Sequence, residues 1–186
     1  MKKWRNRLVI IAIVAVVATA IVLHTVASND NAAAQKFPEV GAYAPNAEFY
    51  TLNGSPVSLS AYRGHMVVLW FVATWCSGCA QGNAILNSSY AFFNQKGVKI
   101  LEIELYKDLG YSGPTIGNFV SGYAPAPYAK GVIVPMYSSY NMTLTYDPKG
   151  YLDIYYLLSP SGKILYTNSP LAATLPQLAA AINASV

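Results

Sequence analysis

The chain has 186 residues, 54% of them hydrophobic and 11% charged, with 12 Lys and Arg against 8 Asp and Glu. That length carries one domain with a full core plus an additional segment. Without residues 1–34 the Lys and Arg fall from 12 to 8 and the Asp and Glu from 8 to 7, so the net charge drops from +4 to +1; no basic stripe remains, and nucleic acid is excluded as a partner.

In chain order, MKKWRNR places Lys2, Lys3, Arg5 and Arg7 ahead of the apolar run Leu8 to Ala27. About 20 such residues span a bilayer as a helix, and cations before the run predict an N-terminus held in the cytoplasm. The expected organisation is a basic cytoplasmic segment 1–7, a transmembrane signal anchor 8–27, a flexible tether 28–43 and an extracytoplasmic domain 44–186. The run is longer than the apolar core of a cleaved signal peptide, which favours an anchor over cleavage after Ala34. Four N-x-[ST] sequons, at Asn53, Asn87, Asn141 and Asn183, agree with export.

The domain opens with two short extended pieces around Asn53-Gly54, a hairpin signal. HMVVLWFVAT reads as a central strand buried on both faces. Residues 76–95 change to helical spacing, with Ile85, Leu86, Phe92 and Phe93 as the apolar stripe and Gly97 as the C-terminal cap. VKILEIELY is a second strand, and PTIGNFVSGYA a short helix with Pro114 in its first turn. The Pro-, Tyr- and Gly-rich stretch 125–150 shows no clear element. LDIYYLLSPSGKILYT is a hairpin turning at Ser159–Gly162, and PLAATLPQLAAAINA a closing helix. These elements make an α/β domain around a mixed sheet.

The only two cysteines, Cys76 and Cys79, stand in a C-x-x-C spacing where the central strand gives way to the helix. A disulfide closing so short a loop removes little entropy from the unfolded chain, so a mere staple is a poor explanation. Tetrahedral zinc wants four Cys or His ligands, and His65 is the only histidine of the domain. Cu(I) held by two thiolates stays open as an alternative. The position favours redox chemistry: a helix N-terminus stabilises the Cys76 thiolate as nucleophile, while Cys79, nearly one turn on, serves as the resolving thiol. Trp75, Ser77 and Gly78 form the immediate surroundings. His65 and His24 read as a surface residue and the end of the apolar run, and Tyr155 and Tyr156 as sheet packing.

Ala44 to Cys79, with its Ala-Pro start, L-x-G hairpin and W-C-x-x-C site, resembles the opening of membrane-anchored thioredoxin-like proteins of the TlpA/ResA type. Tyr155 to Tyr166 resembles their second conserved hairpin. The resemblance implies a thioredoxin fold with an N-terminal hairpin extension, and thiol–disulfide oxidoreductase activity outside the cytoplasm. It implies no organic cofactor and no metal. The implied partners are exported protein thiols or disulfides and a membrane redox protein.

Several positions depart from that pattern. The loop that carries a cis-proline facing the dithiol in such proteins falls near Asp153, with no proline there. An Asp153 carboxylate facing Cys76 would oppose its thiolate. Relatives' acids near the site correspond to Gly82, three residues after Cys79, and Trp70, six before Cys76; a kinking proline corresponds to Ala84. Glu102 and Glu104 are the substitute proton acceptors offered by the second strand, unless both lie past its buried part beside Lys99 and Lys107.

Overall fold

The computed structural model describes residues 36–185. The basic segment 1–7, the anchor 8–27 and the first part of the tether lie outside the described residues. Among the described residues, no helix is long and apolar enough to cross a membrane.

Seven strands form one sheet: β1 Glu48–Tyr50, β2 Pro56–Ser58, β3 Val67–Val72, β4 Lys99–Glu104, β5 Ile133–Ser138, β6 Ile154–Leu158 and β7 Ile164–Asn168. Their order across the sheet is β2-β1-β5-β4-β3-β6-β7. β3, β4 and β5 run parallel, and antiparallel pairs extend the sheet on both sides. The helices are α1 Ser77–Gln95, α2 Ile116–Tyr123, α3 Pro125–Ala129, α4 Tyr140–Tyr146 and α5 Leu171–Asn183.

All six residues of β3 are buried, as its unbroken apolar run requires. Alternation sends Val68, Trp70 and Val72 into the layer with Leu86 and Phe93 of α1 and Leu178 of α5. Val67, Leu69 and Phe71 enter the opposite layer with Phe49, Met142, Tyr146 and Tyr156. Along α1, Leu86 and Phe93 are fully buried and Ile85 and Phe92 half-buried; Gly97 ends the helix at φ +65°. The two-sided core places the C-terminal end of β3, and the cysteines just beyond it, at the rim of a rigid sheet.

Three expectations change. The paired backbone of the domain begins inside the expected tether: Gly41 N–H donates to Ile164 C=O at 2.8 Å and Ala44 N–H to Gly162 C=O at 2.9 Å. Pro114 precedes α2 instead of opening it, because Thr115 caps the helix by accepting from Asn118 N–H. The stretch without clear elements holds α3, β5 and α4. β5 escapes a reading from sequence because Pro135 interrupts its apolar run. The proline is tolerated because β1 pairs only with Tyr137 and Ser138, so the outer side of β5 at Pro135 has no partner strand.

Candidate active site at the end of the central strand

Four residues after β3 ends, Cys76 occupies the N-cap of α1 with extended backbone, φ −79° and ψ 115°. Its Sγ accepts the Cys79 N–H at 3.3 Å, so the sulfur fills the place of a capping oxygen. Cys76 is 9% exposed and Cys79 is completely buried; both are free thiols. The hydrogen bond from the Cys79 side chain, joined by the Cys79 and Gly78 N–H groups, lowers the Cys76 thiol from 9.0 to about 6 against burial and the Asp153 charge. The same hydrogen bond and burial push Cys79 up. The two sulfurs are therefore pushed in opposite directions, Cys76 toward its thiolate and Cys79 toward its thiol.

The approach to Cys76 is held by a residue the sequence reading missed. Asp108 is buried and accepts Thr74 N–H at 2.8 Å, together with the Thr74 hydroxyl; its carbonyl accepts the Trp75 indole N–H at 2.8 Å. Lys107, Asp108 and Leu109 all stand in the left-handed region, φ 51°, 54° and 57°. Each such residue costs about 1–2 kcal/mol, so the turn is held by the hydrogen bonds it makes. The Trp75 ring packs at a tilt of 53° against Tyr111, ring centroids 4.7 Å apart, and both rings remain exposed. Ser77 is exposed and Gly78 half-buried beside Cys76.

Behind the cysteines lies a layer of buried polar groups. Asp153, 3% exposed and at φ 69°, stands where a Cβ at Gly78 would meet its Oδ2 at 3.6 Å. Its Oδ1 accepts the Trp70 indole N–H at 2.7 Å and Leu171 N–H at 3.1 Å. Burial raises its carboxyl, and the Leu171 and Trp70 donors oppose that rise. The alternative that both strand acids lie past the buried part of β4 is corrected for Glu102, which is fully buried in mid-strand. Asn83 Nδ2 donates to Glu102 Oε1 at 2.6 Å and reaches the Cys79 carbonyl at 3.4 Å. Burial drives Glu102 up to about 8, with Asn83 opposing and Asp153 adding to the rise. Glu104, at the strand end, is raised to about 7 by burial and then by Asp108, and it is not brought against the cysteines by any hydrogen bond.

Gly82 is explained by the same layer. A Cβ there would meet the Trp70 ring at 2.8 and 2.9 Å. The indole thus fills the space a side chain at 82 would need. Gly82→Ala is expected to destabilise the protein by about 1–3 kcal/mol, as overpacking does; a denaturant midpoint equal to that of the parent would contradict this packing.

His65 is exposed at the start of β3, the end of the strand opposite the cysteines, so it contributes no ligand at the dithiol. Two clefts, of about 500 and 360 Å³, are lined by residues of β1, α4 and the 106–110 turn, and neither includes a cysteine. The nearly buried Cys76 lies next in sequence to the exposed Trp75 ring.

Comparison with known proteins agrees with this geometry. A family model described as the AhpC/TSA family matches residues 40–159. The thiol-disulfide oxidoreductase ResA of Oceanobacillus iheyensis is 29% identical over 165 residues, covering 82% of each chain. The ResA of Bacillus thuringiensis subsp. konkukian is 32% identical over 85 residues, 46% of this chain. The chain spans about half the length of that relative, 47%. Among solved structures, a thioredoxin-like protein from Aeropyrum pernix superposes with a TM-score of 0.59 at 19% identity, over 75% of this chain and 89% of that one. The fold is thus thioredoxin-like.

Proposed function

Because the chain belongs to the AhpC/TSA family, we propose that it is a thiol–disulfide oxidoreductase, tethered to a membrane by residues 8–27 and working outside the cytoplasm on the thiols or disulfides of exported proteins. The curated relatives that carry the oxidoreductase name support the activity. The cations and apolar run at the N-terminus support the tethering. The observation that carries the reading is the asymmetry of the pair: Cys76, lowered to about 6 at a helix N-cap, in front of a fully buried Cys79.

In this mechanism the Cys76 thiolate attacks one sulfur of a partner's disulfide. The partner's S–S bond breaks, its second sulfur leaves as a thiolate, and a mixed disulfide to Cys76 remains. Cys79 then loses its proton and attacks Cys76 Sγ. The new Cys76–Cys79 bond forms as the bond to the partner breaks, so the dithiol is oxidised by two electrons and the partner reduced. Run in reverse, the same steps install a disulfide. A membrane redox protein would restore the working state of the pair.

The test is the reduction potential of the full chain in thiol buffers as a function of pH. Below pH 6 both thiols bind their protons and the potential should fall about 59 mV per pH unit; above 6, with Cys76 ionised, about 30 mV per unit. A potential near −270 mV assigns a reductant, and one near −120 mV an oxidant of exported proteins. A pair that no thiol buffer reduces would leave only a structural disulfide and defeat the proposal.

A further inference from the structure

We propose that Asp153 is the proton acceptor that activates Cys79, a role that rests on the oxidoreductase reading above. Three observations carry it. First, the Asp153 carboxyl is 97% buried, and its two oxygens are treated unequally: Oδ1 holds two N–H donors, whereas Oδ2 has no hydrogen-bond partner among the described residues. An unpartnered buried carboxylate oxygen is costly, so it calls for a use. Second, that free oxygen borders the Cys76 side of the dithiol, and Cys79 donates its side-chain hydrogen bond to Cys76. A Cβ added at Gly78 would stand 3.6 Å from Asp153 Oδ2 and 3.8 Å from Cys76 Sγ, so carboxylate and sulfur border the same face of a residue that has no side chain to separate them. Third, Asp153 keeps this position on a left-handed backbone, φ 69°, pinned by its own N–H donating to Phe71 C=O at 3.1 Å and by the Trp70 indole. Asn adopts this backbone as readily as Asp and could keep both bonds to Oδ1. A carboxylate here therefore serves something other than packing.

The groups near Asp153 from the packed elements are Cys76 at the α1 N-cap, Cys79 of α1, Glu102 of β4 and Tyr155 of β6. Glu102 is the rival acceptor, but burial keeps it protonated up to about pH 8, and the Asp153 charge adds to that effect. A carboxyl that already holds its proton takes no other. Burial raises both acids, and it is opposed by one donor, Asn83, at Glu102 but by two, Leu171 N–H and the Trp70 indole, at Asp153.

The step balances. With Cys76 joined to the partner, the Cys79 S–H bond breaks and the proton passes to Asp153 Oδ2. The Cys79 thiolate attacks Cys76 Sγ, and the partner leaves with the electron pair of the broken S–S bond. The Asp153 carboxyl then returns its proton to the leaving thiolate or to solvent.

The test follows the reduced full chain mixed with an aromatic disulfide whose leaving thiolate is coloured. The first equivalent of colour reports attack by Cys76 and the second reports resolution by Cys79. In Asp153→Asn the second phase at pH 7 is expected to slow on the order of 100-fold and to gain a tenfold rise per pH unit. The first phase keeps its rate or quickens, because a charge opposing the Cys76 thiolate is gone. Trp70→Phe removes a donor that lowers the Asp153 carboxyl as well as part of a buried ring, so in a variant shown to be folded the acid limb of the second phase should move to higher pH. A second phase in Asp153→Asn with the parent rate and pH profile overturns the proposal, as does transfer of that behaviour to Glu102→Gln. A parent chain with no first phase defeats the oxidoreductase reading itself.

Discussion

Cys79→Ser is expected to convert the protein into a trap that stays joined to the proteins it attacks. Cys76 keeps its place at the α1 N-cap and its Cys79-position and Gly78 N–H donors, so it still forms the mixed disulfide. What is lost is a second sulfur held one helical turn away. Well-placed intramolecular groups act with effective molarities of about 10⁵–10⁸ M, far above any free thiol, so multiple-turnover exchange should fall by at least roughly 10³-fold. Cys76→Ser should lose turnover as completely and form no adduct at all. Non-reducing gels and mass spectra of the two variants after exposure to disulfide-bearing proteins distinguish the cases. Adducts through Cys79 in the Cys76 variant would reverse the roles assigned from burial.

The second large effect concerns stability against pH. Glu102 has its folded carboxyl raised from 4.5 to about 8. Between those values the folded state keeps a proton that the unfolded state releases. The unfolded state binds fewer protons, so stability falls as pH rises through this window and levels off above it. At about 1.36 kcal/mol per unit the whole window amounts to about 4–5 kcal/mol, a large share of an ordinary domain's stability. Glu104 and Asp147, raised to about 7 and about 6, add in the same direction. Glu102→Gln keeps the shape and an oxygen for Asn83 but has nothing to ionise. Urea midpoints should therefore fall from pH 5 to pH 8 in the parent and much less in Glu102→Gln, which becomes the more stable protein at pH 8. An equal slope in both would show that Glu102 is not the group responsible.

Much of this molecule is legible without coordinates. The unbroken run 67–72 announces a strand buried on both faces, because only such a strand needs apolar residues at both parities. The change to helical spacing after Cys76 locates α1, and the C-x-x-C falls at that junction, with Cys76 as the N-cap. The Asn53-Gly54 and Ser159–Gly162 turns identify both hairpins because turn chemistry is local. β5 was hidden because Pro135 reads as a strand breaker unless its neighbours in the sheet are known.

The chemistry around the sulfurs was decided only by tertiary structure. Trp70 finds Asp153 across 83 positions of sequence, Thr74 finds Asp108 across 34, and Asn83 finds Glu102 across 19. Hydrophobic periodicity states which face of an element is buried, and capping states where it begins; both are properties of neighbours in the chain. The partner of a buried polar group is chosen instead by strand order and register, which put β6 beside β3 and bring the left-handed turn after β4 against the end of β3. By itself, the sequence placed the two sulfurs at the junction of β3 and α1. Only the packed sheet decided which acids stand behind them, because the charge states of those acids depend on burial and on donors that lie far away in the chain.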